Sequence, residues 1–430
     1  MKLIAQHSQE QINHESRFIY SLPKEVQRQI IHEAELHVVK KLGPWGTYFS
    51  LLKGFVSIGF LWMPKNCLNA GWLFALGCMA VSFFITLFCL KKLLQARDKV
   101  PGGSFTQISQ AAMGLPGKYI LDIFLSLMQY GFVVALSFFT IINLKEVVDG
   151  VFDRDVPEYY LGIFLFIVTA PLCFVRRIEK FAFTYVIADV LMLLTTITIV
   201  IFAWIHVSEK KAGWGEGVVM LNESTWLTMI GSAIYAFEGI GVVIPILDIT
   251  ENPKEFPKIL LCVMLTSLVL FTGFGEFCLF VYGTELEGNP LVTMLLPNGP
   301  VIWILKTVFS INVIISISLC AFPANNIIES YVFGKMKDSR TKQWLINFQR
   351  AAIIGLAIIL CIVLGKSLDK FNSVVGTVTA TPVVFIIPCV AHYRLCNPTS
   401  FEKVVDIIII LFALVVLVYC TGFTISTWYE

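Results

Sequence analysis

The sequence predicts an all-α protein that crosses a membrane about eleven times. Composition is the first reason: 57% of the 430 residues are hydrophobic and 14% are charged, whereas soluble chains carry about 25% charge. Mean hydropathy, at +0.77, is the second. The third is that the apolar residues fall into eleven runs between short polar loops, most of them near the ~20 residues that a helix needs to cross a bilayer. In hydrocarbon each backbone amide must be satisfied within its own segment, so runs of this kind read as helices.

A polar segment, residues 1–46, stands before a membrane domain at 47–430. Its mixed charge, with Glu10, Glu15, Glu25, Glu33 and Glu35, does not fit a secretory signal or an acid-poor presequence. Lys24 to Lys41 can form a short amphipathic surface helix, with Val26, Ile30, Leu36 and Val38 as its apolar positions. Span one (48–63) is interrupted by Gly54 and Gly59 and closed by Pro64. Span two (72–90) is uninterrupted and ends at Lys91 and Lys92. Gly114-Leu115-Pro116-Gly117 reads as a loop before span three (119–144), which carries Tyr130 midway. Span four (160–174) is short, and span five (181–206) holds Asp189. Span six (227–249) has Ala236-Phe237-Glu238-Gly239 at its centre, and span seven (259–282) holds Glu276. Span eight (301–322) carries Asn312, Ser316 and Ser318, a polar set suited to helix-to-helix hydrogen bonds. Span nine (350–364) is apolar, span ten (371–392) ends at His392, read as facing the interface, and span eleven (404–424) closes the chain.

Lys and Arg concentrate after spans two, four and eight, at Lys91, Lys92, Arg97, Lys99, Lys118, Arg176, Arg177, Lys180, Lys335, Lys337, Arg340 and Lys342. Alternate loops carry Asp149, Asp153, Asp155, Glu158, Glu285 and Glu287. The positive-inside bias places the N-terminus on the cytoplasmic-equivalent side and, with an odd span count, the C-terminus opposite. Asn222-Glu223-Ser224 is a glycosylation acceptor on the outer side of this topology.

Several functions find no support. A net charge of +2 without a long basic run gives no reason to expect nucleic acid. The eleven cysteines form no CxxC pair or metal-spaced cluster, and most read as small apolar packing residues. There is no nucleotide loop, HExxH or GxSxG, so neither an enzyme nor a cofactor is expected.

What the sequence offers instead is a pair of interruptions five spans apart. A carboxylate near the middle of a span costs roughly 2.5–3.5 kcal/mol on insertion scales, which makes Glu238 a functional candidate. Many secondary transporters are two inverted halves, each beginning with a broken helix whose exposed backbone groups hold the substrate. Half-helix N-termini suit a carboxylate and freed carbonyls suit a cation, so such a site fits a zwitterion. Ser57, Ile58 and Gly59 are candidates for backbone contacts to substrate, with Phe237 and Gly239 as their counterparts and Tyr130 as a hydroxyl facing it. Glu238, Glu276, Asp189 and Lys53 are candidates for coupling, since a carboxylate that can be neutralised suits a proton. Each has a plain alternative. The breaks serve equally as kinks, Tyr130 as a packed ring, and Glu238 as a structural carboxylate on backbone groups left unpaired. Asp189 and Glu276 could be paired with neighbouring helices, and Lys53 could snorkel to the cytoplasmic interface.

At these residues the chain resembles the amino acid/auxin permease family, and within it the proton-coupled amino acid transporter branch. One motif runs from Lys53-Gly54 through Gly59 to Pro64 and Ala70-Gly71. The more specific one is Gly231-Ser232-Ala233-Ile234-Tyr235-Ala236-Phe237-Glu238-Gly239-Ile240-Gly241, continuing to Pro245, Glu251-Asn252-Pro253 and Phe256-Pro257. The resemblance implies a leucine-transporter-like fold: a five-plus-five inverted repeat with helices 1 and 6 broken, and one extra helix. It implies amino acid transport by alternating access, coupled to protons before sodium, at a plasma or vacuolar/lysosomal membrane, with lipids as surroundings. An organellar inner membrane is the other compartment considered. The chain departs from the family at Ser57-Ile58-Gly59, where a Gly-Thr-Gly type break is usual, at Lys65 and Asn66, and at Glu276. Those departures motivate an alternative: a transport-inactive homologue acting as an amino acid sensor or as a subunit among other membrane subunits.

Overall fold

The computed structural model describes residues 41–56, 59–100, 102–175, 182–209, 215–289 and 291–428, with the side chains of 182–189, 209 and 366 outside the description. The 24–41 surface helix and the basic residues after span four therefore lie outside it, apart from Lys41.

Among the described residues nine helices are long and apolar enough to cross a membrane, and Glu158–Cys173 is a shorter apolar tenth. An eleventh crossing is split into half-helix 1a (Pro44–Val56), a tight turn (Gly59–Trp62) and half-helix 1b (Met63–Ala70). Pro64 sits in the first turn of 1b, where its missing N–H would have had no partner anyway. It starts the second half of span one, which runs seven residues past the expected end. Gly71 (φ 85) closes 1b; a Cβ there would lie 2.6 Å from the Leu221 backbone, so only glycine fits. Span six is split into 6a (Thr228–Ala236) and 6b (Ile240–Ile249).

The remaining spans are two (Trp72–Lys99), three (Phe105–Phe152), four (Glu158–Cys173), five (Ala182–Glu209), seven (Phe256–Tyr282), eight (Pro300–Val332) and nine (Arg340–Leu364). Ten (Leu368–Leu395) and eleven (Ser400–Ser426) complete the set. Capping boxes start spans three (Ser104 with Gln107) and eleven (Thr399 with Glu402), satisfying amides that have no partner within the helix.

Two expectations are corrected. Gly114-Leu115-Pro116-Gly117 is a kink inside one 48-residue helix rather than a loop. Gly114 takes the non-helical φ/ψ (72°, −161°), and the Ser109 hydroxyl donates to the Gly117 carbonyl at 2.8 Å. Span two extends to Lys99, so Lys91, Lys92, Arg97 and Lys99 ride on its last turns, and Lys92 is buried. Span ten has two widened turns, Gly376–Ala380 and Pro382–Ile386. There Thr377, Thr379 and Thr381 donate hydroxyl bonds to carbonyls of the preceding turn, at 3.1, 2.7 and 3.0 Å, satisfying backbone that the widening loosens.

Packing carries the internal symmetry. 1a packs on 6b and 1b on 6a; span three packs on eight and four on nine; span seven flanks both halves of span one as span two flanks 6a. Each pairing maps onto itself or onto another when one half is exchanged for the other. Backbone bonds stitch the ends. Leu42 donates to the Ile249 carbonyl at 2.8 Å and accepts from Glu251 at 2.9 Å, while on the opposite side Asn222 donates to the Ala70 carbonyl at 3.0 Å.

Candidate functional site

The two interruptions come together at the centre of this arrangement. At the span-six break Phe237, Glu238 and Gly239 leave helical register, and 6b restarts at Ile240. Phe55, the next-to-last residue of 1a, lays its ring against Gly239: a Cβ there would lie 2.7 Å from the ring. Phe271 of span seven lies over Gly59, 3.3 Å from where a Cβ would be, and stands edge-on to Phe237 with centroids 5.9 Å apart. Phe83 of span two meets Phe237 from another side at 6.1 Å. Phe237 is fully buried among these rings. Aromatic edges thus connect one break to the other, with each glycine where a ring needs the space.

Glu238 is buried, and the backbone N–H of Gly241 donates to its carboxylate, capping 6b. Its Oε1 has no hydrogen-bond partner among the described residues. A capping role and an available oxygen therefore coexist on one side chain. Cys320 of span eight lies within electrostatic range of both Glu238 and Lys53. Lys53 is half-buried. Tyr235, beside Cys320 and Glu238, stacks on Phe132 of span three at 4.6 Å. Gln129, also on span three, is buried with its amide nitrogen 3.4 Å from where a Gly241 Cβ would be.

The other sequence candidates lie elsewhere. Ser57 and Ile58 are outside the described residues, as is the side chain of Asp189. Tyr130 donates its hydroxyl to Asn325 at 2.9 Å, and its charged neighbours are Glu329 and Arg350. It ties span three to span eight, and the span-three residue beside the break is Gln129. Glu276 lies against Cys67 of 1b, on the far side of the Gly59 turn. His392 does not face an interface: it is buried and bonded to Lys92 and Asp406. Sequence reading missed Gln129, Cys320, Phe55 and Phe271 because an amide, a thiol or a ring carries no insertion penalty large enough to stand out. Only the register to Gly239 and Gly59 makes them noticeable.

A polar cavity of about 630 Å³ opens beyond the ends of 1b and 6a. Lys65, Asn69, Asn222, Glu223 and Glu287 line it, offering both signs of charge.

These features define a class: a polytopic helical membrane protein of the broken-helix, inverted-repeat transporter fold. A family model described as "Transmembrane amino acid transporter protein" matches residues 40–426, and the chain belongs to that family. Vacuolar amino acid transporter 3 of Saccharomyces cerevisiae is 29% identical over 391 residues, covering 88% of this chain and 56% of that protein. Vacuolar amino acid transporter 3 of Schizosaccharomyces pombe is 31% identical over 361 residues, covering 83% and 54%. The chain thus spans about half the length of these curated yeast relatives. Amino acid transporter AVT3A of Arabidopsis thaliana is 24% identical over 396 residues, covering 89% of this chain and 88% of that protein. Among solved structures, a Na+-coupled sialic acid symporter in a substrate-bound outward-open state superposes with a TM-score of 0.54 over 90% of both chains at 14% identity. That likeness shows the fold.

Proposed function

We propose that this protein is a secondary active transporter of amino acids, acting by alternating access at a vacuolar-type membrane and driven by protons before sodium. The observation that carries the reading is the convergence of the two breaks, Gly59 and Phe237–Gly239, around a buried carboxylate with one oxygen unpartnered among the described residues. Backbone groups at the breaks hold the substrate's carboxylate and ammonium. Glu238 is the coupling group, with half-buried Lys53 of 1a as a second candidate, and the cavity of mixed charge beyond 1b and 6a is the approach for a zwitterion. The yeast relatives' printed names support the choice of a vacuolar membrane.

The test is uptake of a panel of radiolabelled amino acids by purified protein in liposomes, with a pH gradient or a sodium gradient imposed separately. Saturable uptake that follows the pH gradient is expected. Gly59→Leu drives a side chain into Phe271 and is expected to abolish uptake at normal membrane abundance. Normal uptake in that variant would remove Gly59 from the site. No uptake of any amino acid under either gradient would defeat the transport reading.

A further inference from the structure

Away from the breaks, three ionisable side chains from three different spans meet in the interior. Lys92 on span two places Nζ 2.6 Å from Asp406 Oδ1 on span eleven and 3.1 Å from His392 Nδ1 on span ten. His392 Nδ1 is itself 2.7 Å from Asp406 Oδ2. The exposures are 3% for Lys92, 3% for His392 and 0% for Asp406. Other titratable groups around the cluster are Cys89 on span two, Glu402 on span eleven, Cys389 on span ten and Cys396 just past its end, with Asp98 and Lys99 of span two facing Cys396. Span three, which also packs here, contributes the Ala112 carbonyl, which accepts from Arg394.

One ring nitrogen thus faces both an ammonium and a carboxylate. A neutral imidazole has one N–H and one lone pair, so it serves Asp406 as donor or Lys92 as acceptor. With His392 neutral, the cluster is one cation and one anion and carries no net charge. Adding a proton makes an imidazolium 3.1 Å from the Lys92 ammonium. Two cations then share one carboxylate, and a buried site acquires a net charge of +1, which low-dielectric surroundings oppose strongly.

We propose that Lys92, His392 and Asp406 form a proton-binding lock. Neutral His392 holds the end of span two against spans ten and eleven, and the proton it takes up releases them. The proton adds to an imidazole nitrogen and leaves from the same nitrogen, with no other bond made or broken. The lock lies on the side of the membrane where 1a begins, beside the Arg97–Asp248 pair that joins span two to 6b. Release there frees a helix that flanks 6a, whichever solute the protein carries.

Hydrogen exchange of the full chain in lipid nanodiscs tests this, read on the last two turns of span two and the first turns of span eleven. Rates at pH 8 to 5.5 are corrected for the intrinsic pH dependence of exchange. In the wild type protection falls on acidification, at most about tenfold per pH unit, the limit for one proton. His392→Gln accepts from Lys92 and donates to Asp406 without titrating, so its protection is expected to stay flat. Lys92→Met removes the repelling cation, and protonation then creates a His392–Asp406 ion pair. In that variant the sign inverts and protection rises as pH falls. A flat wild-type profile overturns the lock, as does a Lys92→Met profile that falls alongside the wild type. Neither reading depends on uptake, so a failure of the lock is distinct from a failure of the transport assignment.

Discussion

At the scale of single residues the breaks are defined by what glycine leaves out. A methyl group at Gly239 would lie 2.7 Å from the Phe55 ring, so Gly239→Ala forces the ring to move or the half-helices apart. Overpacking of this kind costs roughly 1–3 kcal/mol. We expect Gly239→Ala to lower uptake severely and Phe55→Ala in the same chain to restore part of it, read as a double-mutant cycle on initial rates. Additive losses would mean that the two residues do not share a contact. Glu238 separates into its two roles by substitution. Glu238→Gln keeps an oxygen for the Gly241 amide, so the fold persists, yet it cannot ionise. Residual uptake in Glu238→Gln is expected to lose its response to an imposed pH gradient, whereas Glu238→Ala leaves a buried amide unpaired at about 1–3 kcal/mol and lowers the melting temperature. Uptake in Glu238→Gln that still follows the pH gradient would take coupling away from this residue. Glu238 was legible in the sequence because a carboxylate in an apolar run has no cheap explanation. Cys320 and Gln129 were not, since either is unremarkable until a structure sets it beside that carboxylate.

At the scale of elements, 6a is held on one side by an unusually close crossing with span ten. A Cβ on Gly376 would lie 2.0 Å from the Gly231 carbonyl oxygen, and one on Gly231 would lie 2.3 Å from the Ser373 carbonyl oxygen. Small residues let helix backbones approach where lipid removes the hydrophobic drive for association. The Ser373 hydroxyl adds a bond to the Thr228 carbonyl at 2.8 Å. Gly376→Ala must push the helices apart, and we expect a loss of about 1–3 kcal/mol in stability, read as a lower melting temperature in detergent, together with reduced uptake because 6a leads directly into the break. An unchanged melting temperature would mean that the crossing relaxes without cost. The sequence displayed each of these glycines without their partners, because neither 231 nor 376 is near the other along the chain. The span-three kink is hidden in the sequence for a related reason. Gly114-Leu115-Pro116-Gly117 has the chemistry of a turn, but the carbonyl at Gly117 finds the Ser109 hydroxyl and the helix resumes.

For the whole molecule, the distribution of polar ties divides a cross-bonded set of spans from the pair of broken helices, the division that the proposed alternating access requires. Spans three, four, eight and nine are bonded to one another at several points along their lengths. Tyr130 bonds Asn325, Tyr331 bonds Asp122, and Lys306 pairs with Glu146. Arg350 of span nine, fully buried, binds Glu329 of span eight and the Cys173 carbonyl that ends span four. At their breaks spans one and six instead meet span seven and each other through aromatic rings and glycines, and the ties nearer the ends of 1a and 6b, Tyr48 with Thr266 at 2.8 Å and Thr47 with Thr250 at 3.2 Å, are between neutral hydroxyls, so these contacts can shift without leaving a charge unpaired. The inverted repeat was legible because both halves break at their first helix, five spans apart. Which helices form the rigid half was not, because buried ion pairs on different spans look in sequence like isolated charges at helix ends. The division makes Arg350 the point at which the rigid half can be loosened without touching the site. Arg350→Met strands the Glu329 carboxylate, and breaking a buried pair from one side costs about 3–5 kcal/mol. Purified Arg350→Met is therefore expected to melt well below the wild type and to reach a lower maximal uptake rate, while the amino acid concentration giving half that rate stays the same. A variant that instead loses apparent affinity at unchanged maximal rate would place Arg350 at the substrate and overturn the division between a fixed frame and a moving pair of broken helices.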